Sequence, residues 1–74
     1  MNQFRLDVLR RLRGSGWQFL SQDLQGKDEQ RAISWLVERR FLERNPDHFL
    51  TEVRITDAGI EALAQTGGDV TGWG

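Results

Sequence analysis

Residues 27–56 read KDEQRAISWLVERRFLERNPDHFLTEVRIT, and the patterning of this stretch decides the fold. Ile33, Leu36, Val37 and Phe41 recur at helical spacing with Ala32 beside them, which predicts a helix from about Asp28 to Arg40. Asp28 and Glu29 fall in its first turn, where negative charge suits the helix dipole. Phe41 to Arg44 then leads into Asn45-Pro46-Asp47-His48. Pro46 presets the first central position of a turn, and Asn and Asp favour the others. Beyond the turn, Phe49, Thr51, Val53 and Ile55 alternate with Leu50, Glu52 and Arg54, the period of a strand. Two strands so placed pair antiparallel as a hairpin. Its tip holds Arg44, Asn45 and His48, with Arg54 further down.

Thr56 caps a last helix over about Asp57–Gln65. Ile60, Leu63 and Ala64 supply its apolar face, and Gly59 has no visible packing role except close approach to a neighbour. Gly67-Gly68 stops this helix, leaving residues 67–74 as a flexible glycine-rich tail. Trp73 in that tail folds back on the core, docks on a partner or stays solvated.

Upstream, Asn2 caps a helix from Gln3 to about Arg13, with Phe4, Val8, Leu9 and Leu12 as its apolar stripe. Leu6 widens the stripe, so this helix packs on more than one neighbour. Arg10, Arg11 and Arg13 crowd its C-terminal turns, where the helix dipole favours cations and a phosphate could also be met. Gly14-Ser15-Gly16 turns the chain. Residues 17–25 admit two readings. Trp17, Leu20 and Leu24 fit one helix capped by Ser15, and this is the expected form. Trp17 and Phe19 also alternate like a short strand, after which Ser21 would cap a single turn. Gly26 suits the end of either.

The chain has 74 residues, enough for one domain, placed at residues 1–66. A chain of this length buries only ~60% of its unfolded surface, so its core is small. The absence of cysteine excludes disulfides, thiolate metal sites and a cysteine nucleophile. No apolar run approaches the ~20 residues of a membrane span, and the N-terminus lacks the apolar core of a signal peptide. A cytoplasmic location is expected. The net charge of −1 opposes nucleic-acid binding. It is unevenly spread, with nine Arg and Lys against six Asp and Glu in residues 1–44 (+3), and Arg54 against five acids in residues 45–74 (−4). Either a basic and an acidic face or chance in a short chain accounts for this. His48 alone builds no metal site. No phosphate loop or dinucleotide fingerprint is present, and Ser15, Ser21 and Ser34 have no base at hand. No cofactor and no catalytic activity are expected.

Two motifs now resemble the winged helix-turn-helix superfamily of bacterial and phage regulators. AISWLVERRFLER is similar to that family's passage from recognition helix to wing, matching at Leu36, Glu38, Arg39, Phe41 and Leu42. Arg40 stands where the family usually has glycine. RITDAGIEAL is similar to the wing exit, matching at Ile55, Thr56, Gly59 and Leu63. The resemblance covers about residues 4–65. A further likeness, to small winged-helix proteins of Mu-like prophages, lies in the Trp35-Leu36 pair followed by a wing and a TxxG exit.

The fold it implies is mainly α with a small antiparallel β-hairpin. The function it implies is double-stranded DNA binding by a small transcriptional or phage regulator. Lys27, Gln30, Arg31 and Ser34 lie outside the buried stripe, with Trp35 on its border, and would face bases or nearby phosphates in the major groove. Arg pairs with guanine and Gln with adenine. Arg44, His48 and Arg54 would hold the wing to the backbone, against the pull of Asp47 and Glu52. An ordinary solvated helix face is the alternative for the first four. A homodimer through the first or last helix would raise affinity. A winged helix used as a protein-interaction module, with its partner on the acidic C-terminal half or the tail, is the alternative function.

Overall fold

The computed structural model describes the backbone of residues 2–73 and the side chains of residues 2–65. Asn2 starts the first helix, α1 (Gln3–Arg11), by accepting the Arg5 N–H at 2.8 Å on its side-chain oxygen. Leu6, Val8, Leu9 and Leu12 are buried, and Phe4 is 43% exposed. Leu6 and Val8 flank Leu9 and both enter the core, so the buried arc closes before it reaches Phe4. This arc meets both later α-helices of the chain.

The expected helix over residues 17–25 does not form. Gln18–Phe19 is a short strand, β1, and Gln22–Leu24 is a single 3₁₀ turn with Ser21 at its cap position. β1 pairs antiparallel with β3 (Glu52–Ile55), Gln18 opposite Val53 and Phe19 opposite Glu52, and the Leu20 N–H reaches the Thr51 carbonyl at 2.7 Å. A helix here would leave that edge of β3 unpaired. Its three helical apolar positions yield two buried leucines, Leu20 and Leu24, with Trp17 left at the rim. The Gly14–Gly16 turn is present, with Gly16 at φ 78°.

The helix expected at 28–40 runs Lys27–Glu38 and is α2. Ala32, Ile33 and Leu36 are buried, with Trp35, Val37 and Phe41 packed partly against the core. It ends two residues early because Arg40 turns left-handed, at φ 65°. The Phe41 N–H then donates to the Leu36 carbonyl at 2.9 Å and the Arg40 N–H to the Val37 carbonyl at 3.0 Å. These two bonds close the helix end in the manner usually built on glycine. A side chain in this conformation costs about 1–2 kcal/mol. Arg40→Gly is therefore expected to stabilise the fold by about 1 kcal/mol in urea unfolding, whereas Arg40→Ala, which keeps a Cβ, should leave it almost unchanged.

β2 (Leu42–Arg44) pairs antiparallel with β3, Leu42 opposite Ile55 and Arg44 opposite Val53. The expected two-stranded hairpin is thus part of a three-stranded antiparallel sheet in the order β1-β3-β2. The connection between β2 and β3 is longer than the four residues read from sequence. Pro46–His48 forms a 3₁₀ turn, with Asn45 accepting the Asp47 N–H at 3.0 Å, and strand pairing resumes only at Glu52. Glu52, which the alternation puts on the face opposite Val53 and Ile55, is 7% exposed and accepts a hydrogen bond from the Asn45 side chain. That bond offsets the cost of burying the carboxylate.

Thr56 opens α3 (Asp57–Trp73), its hydroxyl accepting the Gly59 N–H at 3.1 Å. Leu63 is buried, while Ile60 and Ala64, expected beside it, are exposed. Gly59 instead occupies the packed position one turn before Leu63. The helix continues through Gly67-Gly68, expected to stop it. Glycine keeps its N–H and costs a helix only about 1 kcal/mol relative to alanine, without breaking the ladder as proline does. The Trp73 side chain lies outside the described residues. No helix among the described residues is long and apolar enough to cross a membrane.

Candidate nucleic-acid interface

With Ala32, Ile33 and Leu36 turned inward, the helical period places Lys27, Arg31, Ser34 and Glu38 along the opposite side of α2. Gln30 borders this face on the side of the hairpin, and Trp35 on the side of α1. Lys27, Arg31 and Ser34 are exposed and Gln30 is half-buried. A shallow groove takes in all four expected residues together with Arg5, Trp35 and Glu38. The structure thus brings the helix half of the expected site together. Acidic residues share this surface: Glu38 is exposed in the same groove, and Asp28 lines an adjoining depression with Arg5 and Arg31, while Glu29 is half-buried with its carboxylate against Gly26.

The hairpin half of the expected site is dispersed. Arg44 faces α2, donating to the Ser34 hydroxyl at 3.2 Å and to the Phe49 carbonyl at 3.1 Å, with its guanidinium 5.1 Å from the Phe49 ring centre. Partial burial lowers its pKa from the ordinary value, although an arginine still carries its charge at neutral pH. Arg44 therefore ties the hairpin to the exposed face of α2. Arg54 points to the other side of the sheet, because side chains alternate along β3. There its Nε meets the Glu43 carboxylate at 2.5 Å, and its guanidinium lies 4.8 Å from the Trp17 ring centre. It is not brought near Lys27, Arg31 or Ser34. His48 is exposed and packs edge-on to Phe19, 5.5 Å between ring centres. The tip around it is apolar, with Phe19 66%, Phe49 59% and Leu50 66% exposed.

Ion pairing separates the cations of this chain of net charge −1 into engaged and unengaged ones. Among the described residues, the arginines with a carboxylate within 4.0 Å are Arg10 (to Asp7), Arg11 (to Asp23) and Arg54 (to Glu43). Arg10 and Arg11, candidate phosphate ligands in the sequence, are thus engaged on α1. The cations without such a partner include Arg5, Lys27, Arg31 and Arg39, and these four gather around α2. Arg5 and Arg39 both stack on Trp35, at 4.3 and 4.8 Å from its ring centre. Neither is read as a contact from the sequence, where Arg39 figures only as a motif match. Arg5 lies one turn before Leu9, on the arc of α1 that otherwise turns to the core. A lone cation at such a position was the available signal. Trp35 on the border of the α2 stripe was the other half of it.

No family model matches the chain, and no curated protein or solved structure matches it.

Proposed function

We propose that the chain is a small DNA-binding regulator of winged helix-turn-helix type that lays α2 in the major groove of double-stranded DNA. The observation that carries this is the groove-lined face of Lys27, Gln30, Arg31 and Ser34, bordered by cations with no carboxylate within 4.0 Å among the described residues. The N-terminal half of α2, the half that meets base edges in this mode of docking, holds Lys27, Gln30 and Arg31, with Ser34 just beyond it. Element order supports the fold reading. The 3₁₀ turn at Gln22–Leu24 stands in the place of the first helix of the helix-turn-helix, α2 in the place of the recognition helix, and the β2–β3 hairpin in the place of the wing. Arg44, bonded to Ser34, sets the wing's position relative to α2.

Four phosphate contacts give a salt slope of roughly −3 to −4 on duplex DNA. Fluorescence anisotropy on duplexes selected from a random library should show that slope. Arg31→Ala is expected to weaken the selected duplex about 5- to 150-fold (about 1–3 kcal/mol) and to relax base preference at one position. A flat salt response, or an unselective library, overturns the proposal. Arg44→Ala should shift the wing and weaken binding without changing which bases are read.

The exposed Phe19, Phe49 and Leu50 favour a second reading, a winged helix that docks a protein through its wing tip. Under that reading Phe49→Ser and Leu50→Ser abolish partner binding, while Arg31→Ala leaves it intact.

A further inference from the structure

The reading above accounts for the face of α2 and for its wing flank. It leaves unexplained why Arg5 of α1 and Arg39 at the end of α2 converge on one tryptophan. Side-chain stacking of this kind satisfies the face of a guanidinium and leaves its in-plane N–H donors free. Neither arginine has a carboxylate within ion-pair distance among the described residues. Among the described residues, neither donates a side-chain hydrogen bond that would otherwise account for its position. The result is two planar, charged forks held in place with their edges unused.

Their position follows from the helical period. Seen down α2, Ser34 and Gln30 border the exposed face on one side and Trp35 and Arg39 on the other. The first side continues into the wing through the Ser34–Arg44 bond. The second continues into α1 through the Trp35–Arg5 stack. A helix about 10–12 Å across nearly fills a major groove about 12 Å wide, so both of its flanks come up against sugar–phosphate walls. One wall therefore meets the wing, whose exposed tip is apolar. The other meets Arg5 and Arg39.

Resting on the DNA-binding reading, we propose that Arg5 and Arg39, stacked on Trp35, form a phosphodiester-binding site that is the chain's main backbone anchor. Trp35 is its positioning residue. Stacking lowers the conformational entropy that two long side chains would lose on meeting phosphates, and planar guanidinium edges match phosphate oxygens two at a time. The wing acts as an accessory.

Salt titrations of duplex binding test this with Arg5→Ala, Arg39→Ala, the double variant, Trp35→Leu and Arg31→Ala, each checked for folding by thermal melting. Arg5→Ala and Arg39→Ala should each reduce the slope by about 1, weakening selected and scrambled duplexes alike. Arg31→Ala should instead act on the selected duplex. Trp35→Leu leaves every charge in place yet should move the slope toward that of the double arginine variant. A lowered melting point with an unchanged slope would make Trp35 a packing residue only and overturn its positioning role. A wild-type slope of −3 to −4 that survives loss of both arginines overturns the anchor and leaves DNA binding standing. Absence of wild-type binding overturns both.

Discussion

Gly59→Ala is expected to cost about 3 kcal/mol or more and to lower Tm by roughly 12 °C or more. A Cβ at this position would lie 2.7 Å from Ile55 Cγ1 and 3.1 Å from the Phe41 carbonyl carbon, and closer still to the Phe41 carbonyl oxygen. Two of those atoms are backbone and cannot rotate away. The Phe41 carbonyl is itself held, accepting the Thr56 N–H at 3.1 Å. The Thr56 hydroxyl donates to the Arg40 carbonyl at 2.5 Å while accepting the Gly59 N–H. Thr56 and Gly59 thus clamp the start of α3 onto the turn that ends α2. A methyl group wedged there separates the two elements and strains each of these bonds. A chain of 74 residues has about 4–11 kcal/mol of stability to lose. Urea unfolding with a shifted midpoint and an unchanged slope reads the effect. Gly26→Ala is the control. Its new Cβ would meet only the carboxylate end of Glu29, which can swing aside, and the expected cost stays within about 1 kcal/mol. Equal effects at the two glycines would refute the clamp.

That clamp was half legible in the sequence. Thr56 could be read as a cap because capping is local, and close approach was the one role left for Gly59. The identity of the approaching group, the Phe41 backbone, depends on how two distant elements cross. The same division runs through the chain. α2 was legible because four apolar positions keep one period over nine residues. Its end was not, since nothing local announces that Arg40 will adopt a positive φ. β1 was hidden because two residues of alternation cannot compete with three apolar residues at helical spacing. The partner that decided it, β3, lies over thirty residues away. In the candidate site, Lys27, Gln30, Arg31 and Ser34 share a helix face and could be grouped by arithmetic. Arg44, His48 and Arg54 were grouped by nearness to a turn, which does not say which side of a sheet each side chain takes. Arg5 escaped because its stack on Trp35 is made between helices, whereas Arg39, four residues after Trp35 at the end of the same helix, was within reach of the helical period.

Leu36→Ala is expected to destabilise the chain by about 2–5 kcal/mol, which separates the scaffold of the proposed interface from its contacts. Leu36 is fully buried beneath α2, and its carbonyl accepts the Phe41 N–H that closes the helix. Its backbone role survives substitution. Truncation removes the side chain alone, leaving a cavity between α2 and its neighbours. In a core this small few residues can relax into the space, so the cost should fall in the upper part of the range. Leu36→Met keeps the volume and should cost less than about 1.5 kcal/mol. Both variants retain Lys27, Gln30, Arg31 and Ser34. If those residues are the contacts and Leu36 only their support, Leu36→Ala should bind duplex DNA with the wild-type salt slope at any temperature where it remains folded. Its affinity should fall only in proportion to the folded fraction. Arg31→Ala should show the reverse, a wild-type melting curve with weakened binding. A Leu36→Ala protein that melts like wild type would show that the buried stripe of α2 does not carry the core.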